Sequence, residues 1–340
     1  MRRASGGAVA LAGALSLAAA CASRPAIGRG PSASADAPDS LAIAALARAL
    51  SADSNRGRGP WTPENERVAR YLARVVERLG ARPLVGSSVL VPFTAAPRPA
   101  DTVFNVIGVL PARGGATMGE FVGLTAHLDH LGVAHPGNTE CHAVGADSIC
   151  NGFLDDAIGI AIIMDVARRY ARAPGDRPLA FLFFNLEEQG LLGAKAFVAR
   201  PDASGLMARF GLLIGVDAGS PAGEALEWQL MSSVPPHAAA RLADSLARGR
   251  GWTTTASAPR PISDVFPFAE RGVPILFPIP GRTWRGYTDA QRTEAMQRFD
   301  HYHQPSDEWR ADFPLIGTAT FADWLWSVVR RASDARTALR

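Results

Sequence analysis

Apolar runs of five to eight residues, each typical of a buried β-strand, alternate along most of the chain with stretches of helical period. The predicted strands are 103–110, 121–126, 179–185, 212–216 and 273–277. The predicted helices are 41–50, 63–79, 157–171, 190–199, 236–248, 265–271 and 316–331. Because strands that alternate with helices tend to form parallel sheets covered on both faces, the pattern predicts an α/β fold with a mostly parallel central sheet and helices on both faces.

The N-terminal segment has a different pattern. Arg2 and Arg3 precede an apolar run at 8–20, which predicts a signal peptide at 1–20, because the run is too short for a retained membrane-spanning helix. Cys21 follows in a segment that resembles a bacterial lipobox, although Leu17 stands four residues before the cysteine, one more than is usual. We expect an exported, periplasmic protein anchored by lipid on Cys21. Cleavage to a secreted soluble protein is the alternative.

Residues 21–40 are rich in Ala, Ser, Pro and Gly and have no apolar periodicity, which predicts a flexible linker behind the lipid anchor. A single catalytic domain is expected at 41–335. Loss of Arg2 and Arg3 with the signal peptide lowers the formal net charge from +3 to +1, which argues against a nucleic-acid-binding protein. Cys141 and Cys150 remain as an even pair and are expected to form a disulfide in an oxidising compartment.

Two adjacent carboxylates, Glu187 and Glu188, follow the apolar run at 179–185. Strand ends at the carboxyl edge of an open α/β sheet are where ligands bind, and two like charges so close together favour a bound cation. Four other acidic or imidazole side chains stand just beyond a strand or at a loop-to-helix junction: His127, Asp155, Asp217 and His303. Each has an ordinary structural explanation when taken singly, but together two imidazoles and three carboxylates suit zinc in a hydrolytic site.

The segment Glu-Glu-x-Gly-Leu-x-Gly at 187–193, together with the ordered series of ligand residues, resembles the secreted di-zinc aminopeptidase family. That family, a group of clan MH metallopeptidases, also contains glutamate carboxypeptidase, the glutaminyl cyclases and the transferrin receptor. The resemblance covers residues 104–307. It implies a three-layer α/β/α fold of the zinc-exopeptidase type and two Zn²⁺ ions per chain.

The resemblance also implies roles for the ligand residues. Asp155 would bridge the two metals. His127 and Asp217 would each bind one metal terminally, or both would bind one ion while Glu188 and His303 hold the other. The implied metal ligands are therefore His127, Asp155, Glu188, Asp217 and His303.

Further roles are implied around the metals. Glu187 would be the general base, Asp129 would orient the His127 imidazole, and the Tyr302 hydroxyl would stabilise the oxyanion. Asp264, in a Ser-Asp segment similar to that of the family, would support the site or contact substrate. The remaining loop histidines, among them His130, His135, His142 and His301, receive no metal and are expected at the surface or behind the ligands.

The chain departs from the family pattern at two places. Leu154 stands where another Asp is usual and Asp156 where Asn is common, so Asp156 is an alternative bridging residue. Val265 replaces the usual His after Asp264. Neither change removes an implied ligand, so activity is still expected.

The implied function is a zinc-dependent exopeptidase, most simply an aminopeptidase that hydrolyses N-terminal residues of peptides by a two-metal hydroxide mechanism with Glu187 as base. A carboxypeptidase is the first alternative, and Arg260, Arg282 and Arg285 are available to bind a terminal carboxylate. A glutaminyl-cyclase-like transferase would use one zinc and lack the first His ligand, so His127 argues against it. A binding protein without activity would have lost ligands, and all five are present. The long loop at 281–302 could cover the site.

Overall fold

The structure, a computed structural model, describes residues 37–217 and 221–340. The predicted signal peptide at 1–20, Cys21 and most of the linker at 21–40 lie outside the described residues. Within the described part, the first helix begins at Ser40, next to the predicted domain start at residue 41. No helix in that part is long and apolar enough to cross a membrane.

The helices agree closely with the periodic patterns of the sequence. Thr62 caps the second helix, where its Oγ1 accepts a hydrogen bond from the Asn65 amide at 3.2 Å, and Pro63 occupies the first turn. The helices are α1 Ser40–Leu50, α2 Pro63–Arg78, α3 Ile158–Arg172, α4 Leu192–Val198, α5 Ser204–Met207, α6 Ala238–Arg248, α7 Phe266–Ala269, α8 Asp289–Phe299 and α9 Ile316–Ala332. Shorter helical turns are the 3₁₀ segments Asp53–Arg58 and Pro201–Ala203 and the π-helical turn Phe153–Ala157.

Within residues 37–217 and 221–340, nine strands form the main sheet and two more form a small antiparallel pair. The strands are β1 Arg82–Pro83, β2 Leu90–Ala95, β3 Arg98–Leu110, β4 Phe121–His127, β5 Gly132–Val133, β6 Ile149–Cys150, β7 Leu179–Phe184, β8 Phe210–Gly215, β9 Glu227–Met231, β10 Thr253–Ser257 and β11 Ile275–Pro280. The order in the main sheet is β1-β3-β7-β4-β8-β11-β9-β10, and β2 also pairs with β3. The central strands β7, β4, β8 and β11 are parallel, whereas β3 and β9 run antiparallel to them.

The sheet is buried on both faces. Along β7, Phe181 and Phe183 belong to the core that contains α1, α2, α3, α6 and α9, while Leu182 and Phe184 belong to the core that contains α4, α5 and α7. Since successive strand residues point to opposite faces, a fully apolar strand must be covered on both sides. The layers confirm the predicted α/β/α class.

The fold contains elements that the sequence did not predict. The strands β9 and β10 and the two strands before β3 were not predicted, because β9 and β10 mix polar with apolar residues and β1 has only two residues. The loop predicted at 281–302 contains α8, whose start is fixed by a capping box between Thr288 and Gln291. The predicted disulfide between Cys141 and Cys150 is present and closes the loop between β5 and β6.

Candidate metal centre

Acidic and imidazole side chains converge where the central parallel strands end. In the sheet, His127 pairs with Phe184 and Thr125 with Gly215, so the carboxyl ends of β4, β7 and β8 lie side by side. Residues that follow these three strands therefore meet at one edge of the sheet. The predicted ligands all lie there: His127 at the end of β4, Glu188 after β7, Asp217 after β8, Asp155 in the turn before α3 and His303 in the segment after α8.

Asp155 lies between two groups of side chains. Its Oδ1 is 2.8 Å from His127 Nε2, and its Oδ2 is 3.3 Å from His303 Nε2. Asp217 Oδ1 lies 3.6 Å from the same nitrogen of His127, and Glu188 Oε2 lies 3.2 Å from that of His303. The two oxygens of one carboxylate thus face two separate pairs of ligand residues, which is the arrangement that a bridging carboxylate requires.

Asp156, the alternative bridging residue, has a different environment. Its Oδ2 accepts a hydrogen bond from the main-chain amide of His127 at 3.2 Å, so the carboxylate faces the end of β4. Gly159 makes room for this carboxylate, since a Cβ at that position would lie 2.0 Å from Asp156 Oδ1. Asp155, and not Asp156, has both oxygens in the centre.

The His127 ring is oriented by the main chain. Its Nδ1 lies 3.2 Å from the carbonyl oxygen of Asp129, whereas the Asp129 carboxylate is 3.8 Å away, too far for a hydrogen bond. A proton on Nδ1 leaves the Nε2 lone pair directed at Asp155. The carboxylate expected to orient the ring instead accepts the Glu187 amide at 3.1 Å and so holds the turn that carries both glutamates.

His130 is a site residue that the sequence did not distinguish from the other loop histidines. Its side chain is fully buried, and its Nδ1 lies 2.8 Å from Glu188 Oε1. His135 and His142, in the same loop region, are exposed. The only sequence signal that separates His130 from them is its position three residues after His127, at the end of a buried strand.

Arg58 is a second residue that the sequence prediction missed. Its guanidinium is fully buried and donates hydrogen bonds to main-chain carbonyl oxygens at 2.7 to 3.3 Å. Asp307 accepts the amide of Asp155 at 3.2 Å and that of Leu154 at 2.8 Å. The main chain around Asp155 is thereby held by the buried Arg58 guanidinium and the buried Asp307 carboxyl group. The carbonyl partners of Arg58 are Leu50, Leu128, Asn151, Gly152 and Asp155.

Several carboxyl groups of the centre have raised pKa values. Burial raises the pKa of Asp129 to about 6, that of Asp307 to about 8 and that of Glu187 to about 10. Burial likewise raises the pKa of Asp264, whose Oδ1 has no hydrogen-bond partner among the described residues. With these pKa values, Asp307 and Glu187 would hold protons at neutral pH unless positive charge is added to the site, whereas Asp129 would be mostly ionised.

Glu188 differs from its neighbour Glu187. Burial alone would raise its pKa, but the close imidazoles of His130 and His303 lower it to about 2. For His303 burial alone would lower the pKa, and the contacts with Asp155 and Glu188 raise it to about 10. Glu188 is therefore ionised and already held among imidazoles.

The donor atoms fit a metal ion. Glu188 Oε1, His130 Nδ1 and His303 Nε2 are buried and lack an aligned hydrogen bond among the described residues, although they lie 2.8 to 3.3 Å from neighbouring donor or acceptor atoms. Atoms that are close together without hydrogen-bonding have the geometry of ligands directed at one ion. Nitrogen and oxygen donors suit zinc. Among the residues that the structure describes, three sets have ligand atoms within 4.8 Å of one another: His127, Asp155 and Asp217; His130, Asp155 and Glu188; and His127, Glu187 and Glu188.

Tyr302 lies at the mouth of the centre. Its ring stacks on His303 with centroids 3.8 Å apart, and 57% of the residue is exposed. Tyr302 and Leu154, each next in sequence to a ligand residue, line a cavity of about 230 Å³. Val265, which stands where the family has a His, is buried in the core of the α4 face.

Comparison with known proteins adds to this geometry. The model of the family described as Peptidase family M28 matches residues 105–326. The Legionella pneumophila LapA aminopeptidase structure aligns with a TM-score of 0.61 at 15% identity, covering 87% of this chain and 72% of that one. The BSAP zinc aminopeptidase of Bacillus subtilis aligns with a TM-score of 0.50 at 19% identity, covering 70% and 53%. Porphyromonas gingivalis glutaminyl cyclase aligns with a TM-score of 0.58 at 17% identity, covering 87% and 98%.

A search of curated protein sequences finds no match. The structural similarities concern the fold, whereas the family match spans most of the chain. The chain therefore belongs to peptidase family M28, which confirms the family, the zinc-exopeptidase fold and the metallo-exopeptidase class predicted from the sequence.

Proposed function

We propose that the protein is a zinc-dependent aminopeptidase that removes N-terminal residues from peptides in the periplasm, with two metal ions and with Glu187 as general base. The observation that carries the proposal is the position of Asp155, whose two oxygens face the imidazoles of His127 and His303 separately. The zinc aminopeptidase of Bacillus subtilis, which has a similar fold, supports the choice of metal and of reaction.

In the proposed site His127 and Asp217 would hold one zinc ion, and Glu188 and His303 would hold the other. Asp155 would lie between the ions, where its charge screens their mutual repulsion. When bound, two zinc ions acidify a water molecule and polarise the scissile carbonyl. The residues of the chain must then hold the substrate and move protons.

Glu187 is suited to moving the proton. One carboxylate oxygen lies within 4.8 Å of ligand atoms of His127 and Glu188, and its amide is fixed by Asp129. The raised pKa of Glu187 results from burial first and from neighbouring carboxylates second. Because bound dications favour the ionised form, the pKa falls when metal is present, and the carboxylate can accept a proton from water and deliver it to the leaving amine.

The charge of the centre favours the N-terminus of a peptide over its C-terminus. The centre contains eight carboxyl groups, and the opposing positive charges are those of two dications and the buried Arg58. Ionised carboxylates therefore outnumber the cations unless some stay protonated. A negative site attracts the ammonium group of a free N-terminus and repels a carboxylate. The groups are Asp129, Asp155, Asp156, Glu187, Glu188, Asp217, Asp264 and Asp307.

Two of the three arginines named for a carboxypeptidase, Arg282 and Arg285, give that alternative little support. Arg285 pairs with Glu224 at 2.8 Å, which occupies its charge. Arg282 is exposed and lines the cavity beside Tyr302, but Asp300 lines the same cavity. A terminal carboxylate would meet both signs of charge there.

The cavity beside Tyr302 is suited to the side chain of the substrate's first residue. Its walls are mainly apolar, and it adjoins the centre through Leu154 and Tyr302. We expect apolar N-terminal residues such as leucine or phenylalanine to be preferred, because burying their side chains contributes about 1.5 to 3 kcal/mol. The apolar lining includes Leu154, Ala222, Trp284, Met296, Phe299 and Phe313.

Metal analysis and paired substrates test the proposal. Zinc-loaded protein should contain two zinc ions and cleave leucine anilides and N-terminally free dipeptides, but not their N-acetylated forms. Glu187→Gln should keep its zinc and lose about 10² to 10⁴-fold in turnover, whereas Glu77→Gln, an exposed glutamate on α2, should leave the rate unchanged. Full activity in Glu187→Gln would show that Glu187 is not the general base. Cleavage that requires a free C-terminus would favour the carboxypeptidase, and one zinc per chain would favour the cyclase.

We further propose that the chain is exported and anchored through Cys21. The disulfide between Cys141 and Cys150 supports an oxidising compartment, where such bonds persist. Mass spectrometry of the membrane-associated protein should find a lipid on an N-terminal Cys21, and Cys21→Ala should move the protein to the soluble fraction. An unmodified wild-type protein in the soluble periplasm would support simple cleavage instead.

A further inference from the structure

His130 is a buried imidazole to which the proposed function assigns no role. The residue is fully buried, and neither ring nitrogen has a hydrogen-bond partner among the described residues. Burying a polar group without a hydrogen-bond partner costs free energy, so a buried ring of this kind is expected to bind a ligand or to serve the reaction. Its position next to Glu188, at 2.8 Å from Nδ1 to Oε1, puts it at the edge of the metal centre.

The ring is held in this position by its surroundings. Gly152 packs against it so closely that a Cβ at residue 152 would lie 2.5 Å from His130 Cγ. The main-chain amide of His130 donates to the Arg58 carbonyl at 3.3 Å. The ring of His303 lies on its other side, 5.7 Å away between centroids and at 70°. His130 is therefore fixed, facing the same carboxylate as His303.

The contact between His130 and Glu188 does not have the geometry of a hydrogen bond. The two atoms are close enough, at 2.8 Å, but both still count among the buried atoms without an aligned partner. By contrast, His127 Nδ1 lies within hydrogen-bonding distance of the main-chain carbonyl of Asp129, as expected of a ring that binds metal through Nε2 and is oriented through Nδ1. Among the described residues, His130, Asp155 and Glu188 have ligand atoms within 4.8 Å of one another, which is compatible with one shared ion.

We propose that His130 is a third imidazole ligand, binding through Nδ1 the zinc ion held by Glu188, His303 and Asp155. This inference rests on the two-metal site proposed above. It makes the two sites unequal, because this ion would have four protein ligands and the ion at His127 and Asp217 would have three. A zinc ion with four protein ligands resembles a closed structural site, whereas one with three keeps a position open. The ion at His130 should be the more tightly bound.

Zinc titration of the full mature chain tests the proposal with a readout that is independent of activity. The protein is stripped with a chelator, equilibrated against buffered free zinc and analysed for bound metal. Wild-type protein should take up two ions in two separated steps. His130→Phe, which keeps a ring of similar size but has no nitrogen, should weaken the tighter step by at least about tenfold, and His135→Phe, at an exposed histidine, should match the wild type.

A second pair of variants identifies the nitrogen. The amide of His130→Asn reaches the position of Nδ1 and should restore part of the affinity, whereas His130→Gln reaches the position of Nε2 and should not. Should His130→Phe fail to fold, ¹⁵N NMR of histidine-labelled wild-type protein still decides, since it counts metal-bound rings. Three bound rings out of the seven histidines are expected.

The outcomes separate the inference from the function on which it rests. Two zinc ions with unchanged affinity in His130→Phe, or only two metal-bound rings in the wild type, would overturn the role of His130 and leave the two-metal site intact. A wild-type protein that binds no zinc would overturn both.

Discussion

Replacement of Arg58 by methionine tests whether a buried cation positions the metal centre. Methionine fills the space of the aliphatic stem but has no donors. Five main-chain carbonyls, spread over residues 50 to 155, each lose the hydrogen bond that Arg58 donates. Arg58 also lies at a positive φ of 48°, so the segment around it is held by these contacts against a local preference for other conformations.

The magnitude follows from these contacts. The Leu50 carbonyl still accepts from the Asn55 side chain and the Gly152 carbonyl from the Ala157 amide. Leaving the other three buried carbonyls without Arg58 costs about 1 to 3 kcal/mol each, or about 3 to 9 kcal/mol in total. Two effects offset part of this sum. The desolvation penalty of a buried guanidinium, several kcal/mol, is relieved, and water can enter the space of the lost head group. A net loss of about 3 to 5 kcal/mol in the free energy of unfolding is expected, a large share of the roughly 5 to 15 kcal/mol of a typical domain.

The assay is urea unfolding of metal-free protein, followed by zinc titration of the folded variant. Because Arg58 donates to the Asp155 carbonyl at 3.1 Å, its loss should also weaken zinc binding, by about 10- to 100-fold as for other residues that orient ligands. Arg58→Lys keeps the charge but cannot span the carbonyls with a planar fork, so it should recover only part of the stability. Arg74→Met, at an exposed position on α2, is the control. A loss below about 1 kcal/mol in Arg58→Met would refute the reasoning.

Titratable groups in the centre and on α6 give two further predictions. Contacts with carboxylates outweigh burial and raise the pKa of His127 and bring that of His303 to about 10. Zinc uptake at neutral pH should therefore release at least two protons, one from each imidazole, and a further proton from Glu187 as its pKa falls. Calorimetry in buffers of different ionisation enthalpy measures these protons, and uptake without proton release would contradict the ligand assignment. Burial lowers the pKa of His237, which caps α6 by accepting the Ala240 amide at 3.2 Å. As the pH falls, His237 is protonated in the unfolded chain before it is protonated in the folded chain. The contribution of His237 to the free energy of unfolding is therefore complete above about pH 6.5 and should decrease as the pH falls toward the folded pKa. His237→Asn, which can cap without titrating, should flatten this dependence in urea midpoints, and equal slopes in both proteins would contradict it.

Periodicity predicted the elements that build the centre because those elements are buried on both faces. In β7 every residue is buried and apolar, so its extent could be read directly, and the glutamates that follow it stood out. The polar helix α8 lies at the surface and β10 at the sheet edge, where hydrophobic burial leaves a weaker pattern. The neighbouring strand β9 is largely buried, but it has only five residues and includes the polar Glu227 and Gln229.

Arg58 and His130 could not be predicted because their roles depend on distant partners. The carbonyls that Arg58 contacts at Leu128, Asn151 and Asp155 are 70 to 97 residues away in the sequence. Main-chain carbonyls exist at every residue, so the sequence carries no signal for this contact. Likewise, His130 reads as one of several polar loop residues until the end of β4 is placed beside the turn after β7.

The two adjacent glutamates show how the fold assigns different chemistry to identical side chains. Leu186, just before them, has a positive φ of 57°, a costly conformation for a leucine that turns the chain sharply after β7. Beyond this turn, Glu188 points at two imidazoles, which bring its pKa to about 2, while burial among carboxylates raises that of Glu187 to about 10. A ligand must be ionised before the metal arrives, whereas a base must be able to take up a proton. The difference in partners therefore makes Glu188 the ligand and leaves Glu187 to move the proton.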